Sequence, residues 1–184
     1  TGLNHKTAPL EIRERVAFSK DQLSDALPQL ADLVGQAVVL STCNRTEVYS
    51  VADDPVETTK DIRHFVTSYH GIDPNVLDSH MYDLSDAKAT RHLFRVSSGL
   101  DSLILGESQI LSQIRSALTV ASNSNSLKIP VSRLFHRAIR TGRRVREETD
   151  LGHNALSISF AAVQLCERTL RSLEGARILL IGAG

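Results

Sequence analysis

Two short β-favouring runs, Ala37-Val38-Val39-Leu40 and Val48-Tyr49-Ser50-Val51, enclose the polar stretch Ser41-Thr42-Cys43-Asn44-Arg45-Thr46-Glu47. Runs of this kind around a polar centre read as a hairpin with its reactive side chains at the turn. The rest of the chain has to be organised around that hairpin. Cys43 is one of only two cysteines, and Arg45 and Glu47 follow it at alternate positions. Residues two apart in a strand share a face, so the three side chains are expected to project together. A guanidinium beside a thiol stabilises the thiolate, which is the nucleophilic form. A small cysteine packed into a strand end fits the same residues, although polar neighbours argue against a dry pocket. Arg45 also reads two ways, as a bidentate grip on a ligand carboxylate or as an ion pair with Glu47.

The segments on either side supply strands and helices in alternation. Gly2-Leu3-Asn4-His5 ends a first strand and turns at Thr7-Ala8-Pro9, and Ile12, Val16 and Phe18 mark a short helix. Ser19 is an N-cap with Gln22 at the capping-box position. Leu23, Leu27, Leu30 and Val34 then recur at helical spacing, interrupted by Pro28 and stopped by Gly35. Asp54-Pro55 opens another helix through Ile62, Phe65, Val66 and Tyr69 to Gly71, and a strand is expected within Val76 to Leu84, around His80-Met81-Tyr82. Residues 1–85 therefore run βαββαβ, an order that predicts an α+β sandwich of the ferredoxin-like type.

Beyond Ser85 the pattern turns helical. Ala89, Leu93, Phe94 and Val96 make one stripe, and Ile110, Leu111, Ile114, Leu118 and Ala121 make a second. A Ser/Asn-rich break at 122–126 precedes Val131, Leu134, Phe135, Ala138, Gly142 and Val145. After a turn at 150–154, a last helix carries Ile158, Ala162, Leu165 and Thr169, with Cys166 read as plain packing. The chain then ends on Ile178-Leu179-Leu180-Ile181-Gly182-Ala183-Gly184, an apolar strand entering G-x-G. That is how a dinucleotide-binding βαβ unit begins, and equally how an ordinary strand meets a glycine turn. The expected organisation is a domain over 1–150, followed at 151–184 by a linking helix and the first strand of a truncated Rossmann-type domain.

Three further features bear on chemistry. His92, near the start of its helix, suits either a general acid–base role or a half-buried structural histidine. Ser98 to Gln109 mixes two glycines with small polar residues and a leucine run, which favours an irregular binding segment presenting Ser102, Glu107 and Gln109. Arg133, Arg137, Arg140 and Arg144 recur at spacings that align guanidinia on one helix face, either for phosphates or as a solvated, salt-bridging surface. Lys plus Arg and Asp plus Glu are balanced at 21 each, so nucleic-acid binding would need such a local basic surface. The other histidines and the cysteines show no metal-ligand spacing. Two distant cysteines make no disulfide framework, and a reducing cytoplasm suits them. No run approaches the ~18 apolar residues of a transmembrane helix. Thr1 to Lys6 shows neither a signal peptide nor an initiator Met, so the chain reads as trimmed there.

With these pieces in place, Ser41 to Glu47 resembles the catalytic-cysteine motif of the glutamyl-tRNA reductase family. Gly2-Leu3-Asn4-His5-Lys6-Thr7-Ala8-Pro9, the segment His92 to Gln113, the region Arg140 to Glu148 and Ile181-Gly182-Ala183-Gly184 resemble that family in the same order. The resemblance implies that Cys43 attacks the ester of glutamyl-tRNA and holds a glutamyl thioester. NADPH would then reduce the thioester to glutamate-1-semialdehyde, the committed precursor of tetrapyrroles. It implies a glutamate-holding role for Arg45 and substrate contacts for Thr42, Asn44, Ser102, Glu107, Ser108, Gln109 and Gln113. His92 matches a histidine important for activity, and Gly182, Ala183 and Gly184 match the start of the NADPH phosphate loop. Implied partners are glutamyl-tRNA, a second copy joined through a C-terminal domain this chain lacks, and glutamate-1-semialdehyde aminomutase. The missing remainder predicts acylation of Cys43 without reduction. Two rivals share these residues: a non-catalytic RNA-binding module, and a thiol-dependent aldehyde or acyl dehydrogenase acting on a free metabolite.

Overall fold

The hairpin forms, but its strands take in most of the polar stretch and leave only Cys43 and Asn44 at the turn; the two strands make the body of the only sheet among the described residues. The structure is a computed structural model that describes residues 1–107, 109–151, 158–170 and 172–179. Strand β1 (Gly2–Asn4), helices α1 (Leu10–Arg15) and α2 (Lys20–Val34), strands β2 (Val38–Thr42) and β3 (Arg45–Tyr49) and helix α3 (Pro55–His70) follow one another. Then come α4 (Pro74–Asp78), α5 (Asp86–Ser97), α6 (Gln109–Asn123), α7 (Ile129–Glu148) and α8 (Ile158–Leu170). The sheet has the order β1-β3-β2 and both pairings are antiparallel, with Leu3 opposite Thr46 and Leu40 opposite Glu47.

β3 is central in this sheet and every one of its residues is buried, so both of its faces are covered. α6 packs on β2, α5 and α6 pack on α7, and α2 packs on α3. The largest fully buried side chains include Leu3, Leu27, Leu40, Leu93, Ile114 and Phe135. Phe135 meets the ring of Tyr49 edge-on at 5.3 Å, which ties α7 to the far end of β3. Gly142 lies where α7 crosses α5, and a Cβ there would come 2.3 Å from the carbonyl oxygen of Ser97. The helices cross that closely because position 142 has no side chain.

Local signals set most boundaries. The Ser19 hydroxyl accepts from the Gln22 N–H at 3.2 Å and the Gln22 side chain accepts from the Ser19 N–H at 2.8 Å, a reciprocal capping box. Asp54 caps α3 with Pro55 at its first turn. Two expectations are corrected. α2 continues through Pro28, because burial of Leu23, Leu27, Leu30 and Val34 along one stripe outweighs one missing backbone donor. The strand expected within Val76 to Leu84 is instead helix α4 and a single bridge, in which Gly2 and Tyr82 exchange both backbone hydrogen bonds at 3.0 and 2.8 Å. Asp73 accepts from the Asn75 N–H at 2.9 Å and Pro74 follows it, and these start signals win over the β-favouring residues behind them. The segment Ser98 to Glu107 is irregular, as its composition suggested, and closes on itself through Gly106 N–H to Gly99 C=O at 3.0 Å. Of the terminal strand, 178–179 carry no strand assignment and the rest lies outside the described residues. No described helix is long and apolar enough to cross a membrane.

Candidate functional site

The β2–β3 turn consists of Cys43 and Asn44, and three residues hold its backbone. Thr42 Oγ1 accepts from the N–H groups of Asn44 and Arg45 at 3.1 and 3.2 Å. His5 N–H donates to the Asn44 carbonyl at 2.9 Å. Arg13 donates to the Cys43 carbonyl, and to Asn44 Oδ1 at 3.2 Å. The Cys43 thiol is exposed at the tip of this fixed turn. It borders a recess of about 160 Å³ lined also by Leu10, Arg13, Phe18 and Thr42.

Arg45 and Glu47 do not accompany the thiol into solvent. Both side chains are buried, at 1% and 3% exposure, and Arg45 Nη1 donates to Glu47 Oε1 at 2.6 Å. Arg45 Nη2 reaches across to the irregular segment, donating to the Asp101 carbonyl at 2.5 Å and to its carboxylate at 3.3 Å. Lys6 caps the other carboxylate oxygen of Asp101. Glu47 in turn accepts from the hydroxyls of Tyr49 and Tyr82, each at 2.5 Å, and from His92 Nε2 at 2.9 Å. With Glu47 ionised, Nε2 is the protonated nitrogen of His92.

A buried charge survives only when its neighbours outweigh the lost hydration. Burial alone would raise the Glu47 pKa from its ordinary 4.5, yet the His92 hydrogen bond, the Arg45 and His92 charges and the Tyr49 hydroxyl carry it down to about 2. Burial and the adjacent Glu47 charge push both the Tyr49 and the Tyr82 phenol upward, which keeps them protonated as donors. Burial would raise Asp101 too, but Lys6 and Arg45 bring its pKa down. His5 is held neutral, its pKa lowered first by burial and then by the charges of Arg45 and Lys6. The site is thus a charge-compensated cluster behind an accessible thiol.

The other expected residues spread around this cluster. His92 lines a second recess of about 230 Å³, with Glu47, Tyr82 and Ser85, on which Cys43 does not border. Ser102 and Glu107 are half-buried in the irregular segment, Gln109 is exposed at the first position of α6, and Gln113 is half-buried one turn later. Asn44 is half-buried at the turn beside Arg13. Ser108, Gly182, Ala183 and Gly184 lie outside the described residues. The sequence reading missed Lys6, Arg13, Tyr49, Tyr82 and Asp101. Tyr49 alone had a local signal, being on the same strand face as Arg45 and Glu47.

A family model described as glutamyl-tRNAGlu reductase, N-terminal domain, matches residues 1–149. Glutamyl-tRNA reductase of Pseudoalteromonas translucida is 44% identical over 186 residues, covering 100% of this chain and 44% of that protein. The enzyme of the same name from Syntrophotalea carbinolica is 43% identical over 185 residues, covering 100% of this chain and 42% of that protein. The solved structure of glutamyl-tRNA reductase from Methanopyrus kandleri superposes with a TM-score of 0.67 at 35% identity, covering 91% of this chain and 38% of that one. The chain spans less than half the length of these relatives. It belongs to the glutamyl-tRNA reductase N-terminal domain family.

Proposed function

We propose that this chain is the glutamyl-accepting part of a glutamyl-tRNA reductase, with Cys43 as its nucleophile. The observation that carries the reading is the exposed thiol on a turn fixed from three sides, in a chain of this family. A nucleophile that must meet an ester on a large substrate needs both access and a set position. The thiol first gives its proton to solvent. Sγ then bonds to the glutamyl carbonyl carbon, the ester C–O bond breaks, and the departing tRNA hydroxyl takes its proton from water. No electrons change hands in this step.

Arg45 is the residue on which the substrate's side-chain carboxylate would be held. In support, the longer of its two Asp101 contacts, 3.3 Å to the carboxylate, is the one a ligand carboxylate would displace on moving Asp101 aside, while Glu47 and the Asp101 carbonyl hold the rest of the buried fork. Thr42 and Asn44 shape the turn. Ser102, Glu107, Ser108, Gln109 and Gln113 belong to the segment from which the remaining glutamate contacts come. His92 acts through Glu47 as a positioning residue, since its Nε2 is engaged there and it faces the other recess.

NADPH, when held by the longer protein, supplies the hydride that reduces the thioester to glutamate-1-semialdehyde for tetrapyrrole synthesis. Gly182, Ala183 and Gly184 would begin its phosphate loop, and the chemistry of the described residues stops at the thioester. Dimerisation through the remaining polypeptide, hand-off to the aminomutase and a cytoplasmic setting belong to the same reading. So does a ferredoxin-like core, supported by Tyr82 standing beside β1 on the edge opposite β2, where a fourth strand would lie.

The test is mass spectrometry of the chain after exposure to glutamyl-tRNA. A glutamyl adduct on Cys43, absent from Cys43→Ser, is expected, with deacylated tRNA and no semialdehyde. Ester cleavage that survives Cys43→Ser would overturn the assignment.

A further inference from the structure

Helix α7 carries Arg133, Arg137, Arg140, Arg143, Arg144 and Arg146, with no acidic residue before Glu147. Its buried side is Val131, Phe135, Ala138 and Gly142, packed toward α5 and α6. At about 100° per residue, Arg133, Arg137, Arg140 and Arg144 fall within roughly 60° of one another on the opposite side. The row extends about 16 Å at 1.5 Å per residue. Arg144 is tied to Glu148 at 3.0 Å. Among the described residues, Arg133, Arg137, Arg140 and Arg143 are exposed and enter no ion pair. In a chain with 21 basic and 21 acidic residues this is a concentrated, uncompensated positive stripe.

The stripe also has a direction. Toward its C-terminal end α7 is fastened to the end of α5 and to the irregular segment, Arg146 donating to the carbonyls of Ser97 and Glu107 at 3.1 and 2.6 Å. That segment carries Asp101, whose carbonyl and carboxylate rest on Arg45. The row therefore starts beside the elements that hold the candidate site and runs away from them along a rigid helix.

We propose that the Arg133–Arg137–Arg140 row is a docking surface for the phosphate backbone of the tRNA whose aminoacylated end reaches Cys43. The inference rests on the function proposed above and adds where the polyanion lies. Guanidinia fixed on a helix pair well with phosphate oxygens, and a duplex stem presents its phosphates in a regular row. These contacts are independent of base sequence, so they orient the acceptor arm and leave identity to other surfaces. A partly folded acidic peptide or another part of the longer polypeptide would meet the same charges, and the experiment separates these occupants.

The probe is glutamyl-tRNA, titrated against the chain by fluorescence anisotropy between about 50 and 200 mM salt. The variant Arg133→Gln/Arg137→Gln/Arg140→Gln is expected to bind more than about tenfold more weakly, with its log–log salt slope reduced by about 3. The matching Arg→Lys triple should keep the slope, and Lys20→Gln/Lys60→Gln/Lys88→Gln, which removes three charges elsewhere, should behave as wild type. Acylation of Cys43 by a glutamyl ester of adenosine, which lacks the stem, should be the same in wild type and the Gln triple. If wild type is acylated by neither donor, the function proposed above fails. If wild type is acylated and the Gln triple retains wild-type tRNA affinity and slope, the docking surface alone is overturned and the stripe is assigned to a protein contact. A wild-type slope shallower than about −2 also overturns it, and that readout does not depend on any variant folding.

Discussion

Replacing Glu47 by Gln tests the buried charge cluster, because the change keeps shape and removes one charge. Glu47 Oε1 receives Arg45, Tyr82 and His92, while Oε2 receives Tyr49. A glutamine that keeps its carbonyl on the Oε1 side retains three donors, and its amide can donate to the Tyr49 hydroxyl, which is able to accept. Hydrogen-bond loss is therefore small, and what disappears is the counter-charge of a guanidinium that is 1% exposed. Stripping one partner from a buried pair costs roughly 3–5 kcal/mol. The pH dependence gives a second figure. Between the ordinary carboxyl value of 4.5 and the folded value of about 2, the shift corresponds to about 3 kcal/mol. Because the folded pKa is depressed, this contribution is complete above 4.5 and is lost as pH falls toward 2. Urea denaturation at neutral pH should show Glu47→Gln destabilised by about 3–4 kcal/mol. Below 4.5 the wild type should lose up to about 1.4 kcal/mol per pH unit through this group, a dependence the variant lacks. A variant within about 1 kcal/mol of wild type at neutral pH, or with an unchanged acid slope, would mean that the buried guanidinium does not depend on the Glu47 charge.

Other substitutions probe neighbouring claims. Arg45→Lys replaces a fork that spans Glu47 and Asp101 by a single ammonium, so stability should fall by about 2 kcal/mol and glutamyl transfer to Cys43 should slow. Equal transfer rates in Arg45→Lys and wild type would remove Arg45 from the proposed site. Gly142→Ala should destabilise by about 2 kcal/mol or more, since its new carbon would sit 2.3 Å from the Ser97 oxygen. An unchanged thermal midpoint would mean that α5 and α7 separate easily. Cys43→Ser, at an exposed turn position, should leave the melting curve within about 0.5 kcal/mol of wild type while abolishing the adduct.

What the sequence made legible was local. The Ser19–Gln22 capping box, the Asp54-Pro55 start, the stops at Gly35 and Gly71 and the Cys43 hairpin all depend on residues within a few positions of one another. Their hydrogen bonds join residues close in sequence, so the residue types alone announce them. α4 was misread because the apolar and aromatic residues near Tyr82 favour a strand, while the decisive signal was one capping aspartate and a proline. The placement of Arg45 was half legible. Its ion pair with Glu47 is a same-face, same-strand relation, whereas the bond to Asp101 joins residues 56 apart and has no local trace. Arg13 was hidden for the same reason, since it reaches the Cys43 turn from a helix 30 residues earlier. The expectation that Cys43 shares a face with Arg45 failed because the strand pairing ends at Thr42 and Arg45. Once Cys43 is in the turn, alternation no longer governs its direction.

The link between Arg45 and Asp101 has a consequence for how the chain can be divided. A fragment ending near residue 85 would contain the whole sheet and the helices that intervene in it, and by composition it resembles a folding unit. Such a fragment would keep Arg45 and Glu47 in its central strand but lose Asp101, His92 and the α6–α7 cover. It would also lose Ser126, whose hydroxyl and carbonyl tether Ala37 at the start of the hairpin, at 3.1 and 2.8 Å. The sheet and the helical half should accordingly unfold together. Amide protons of β3 should exchange at the same free energy as those of α6 and α7, and a protease that cuts between Ser98 and Glu107 should release the hairpin's protection along with the helices'.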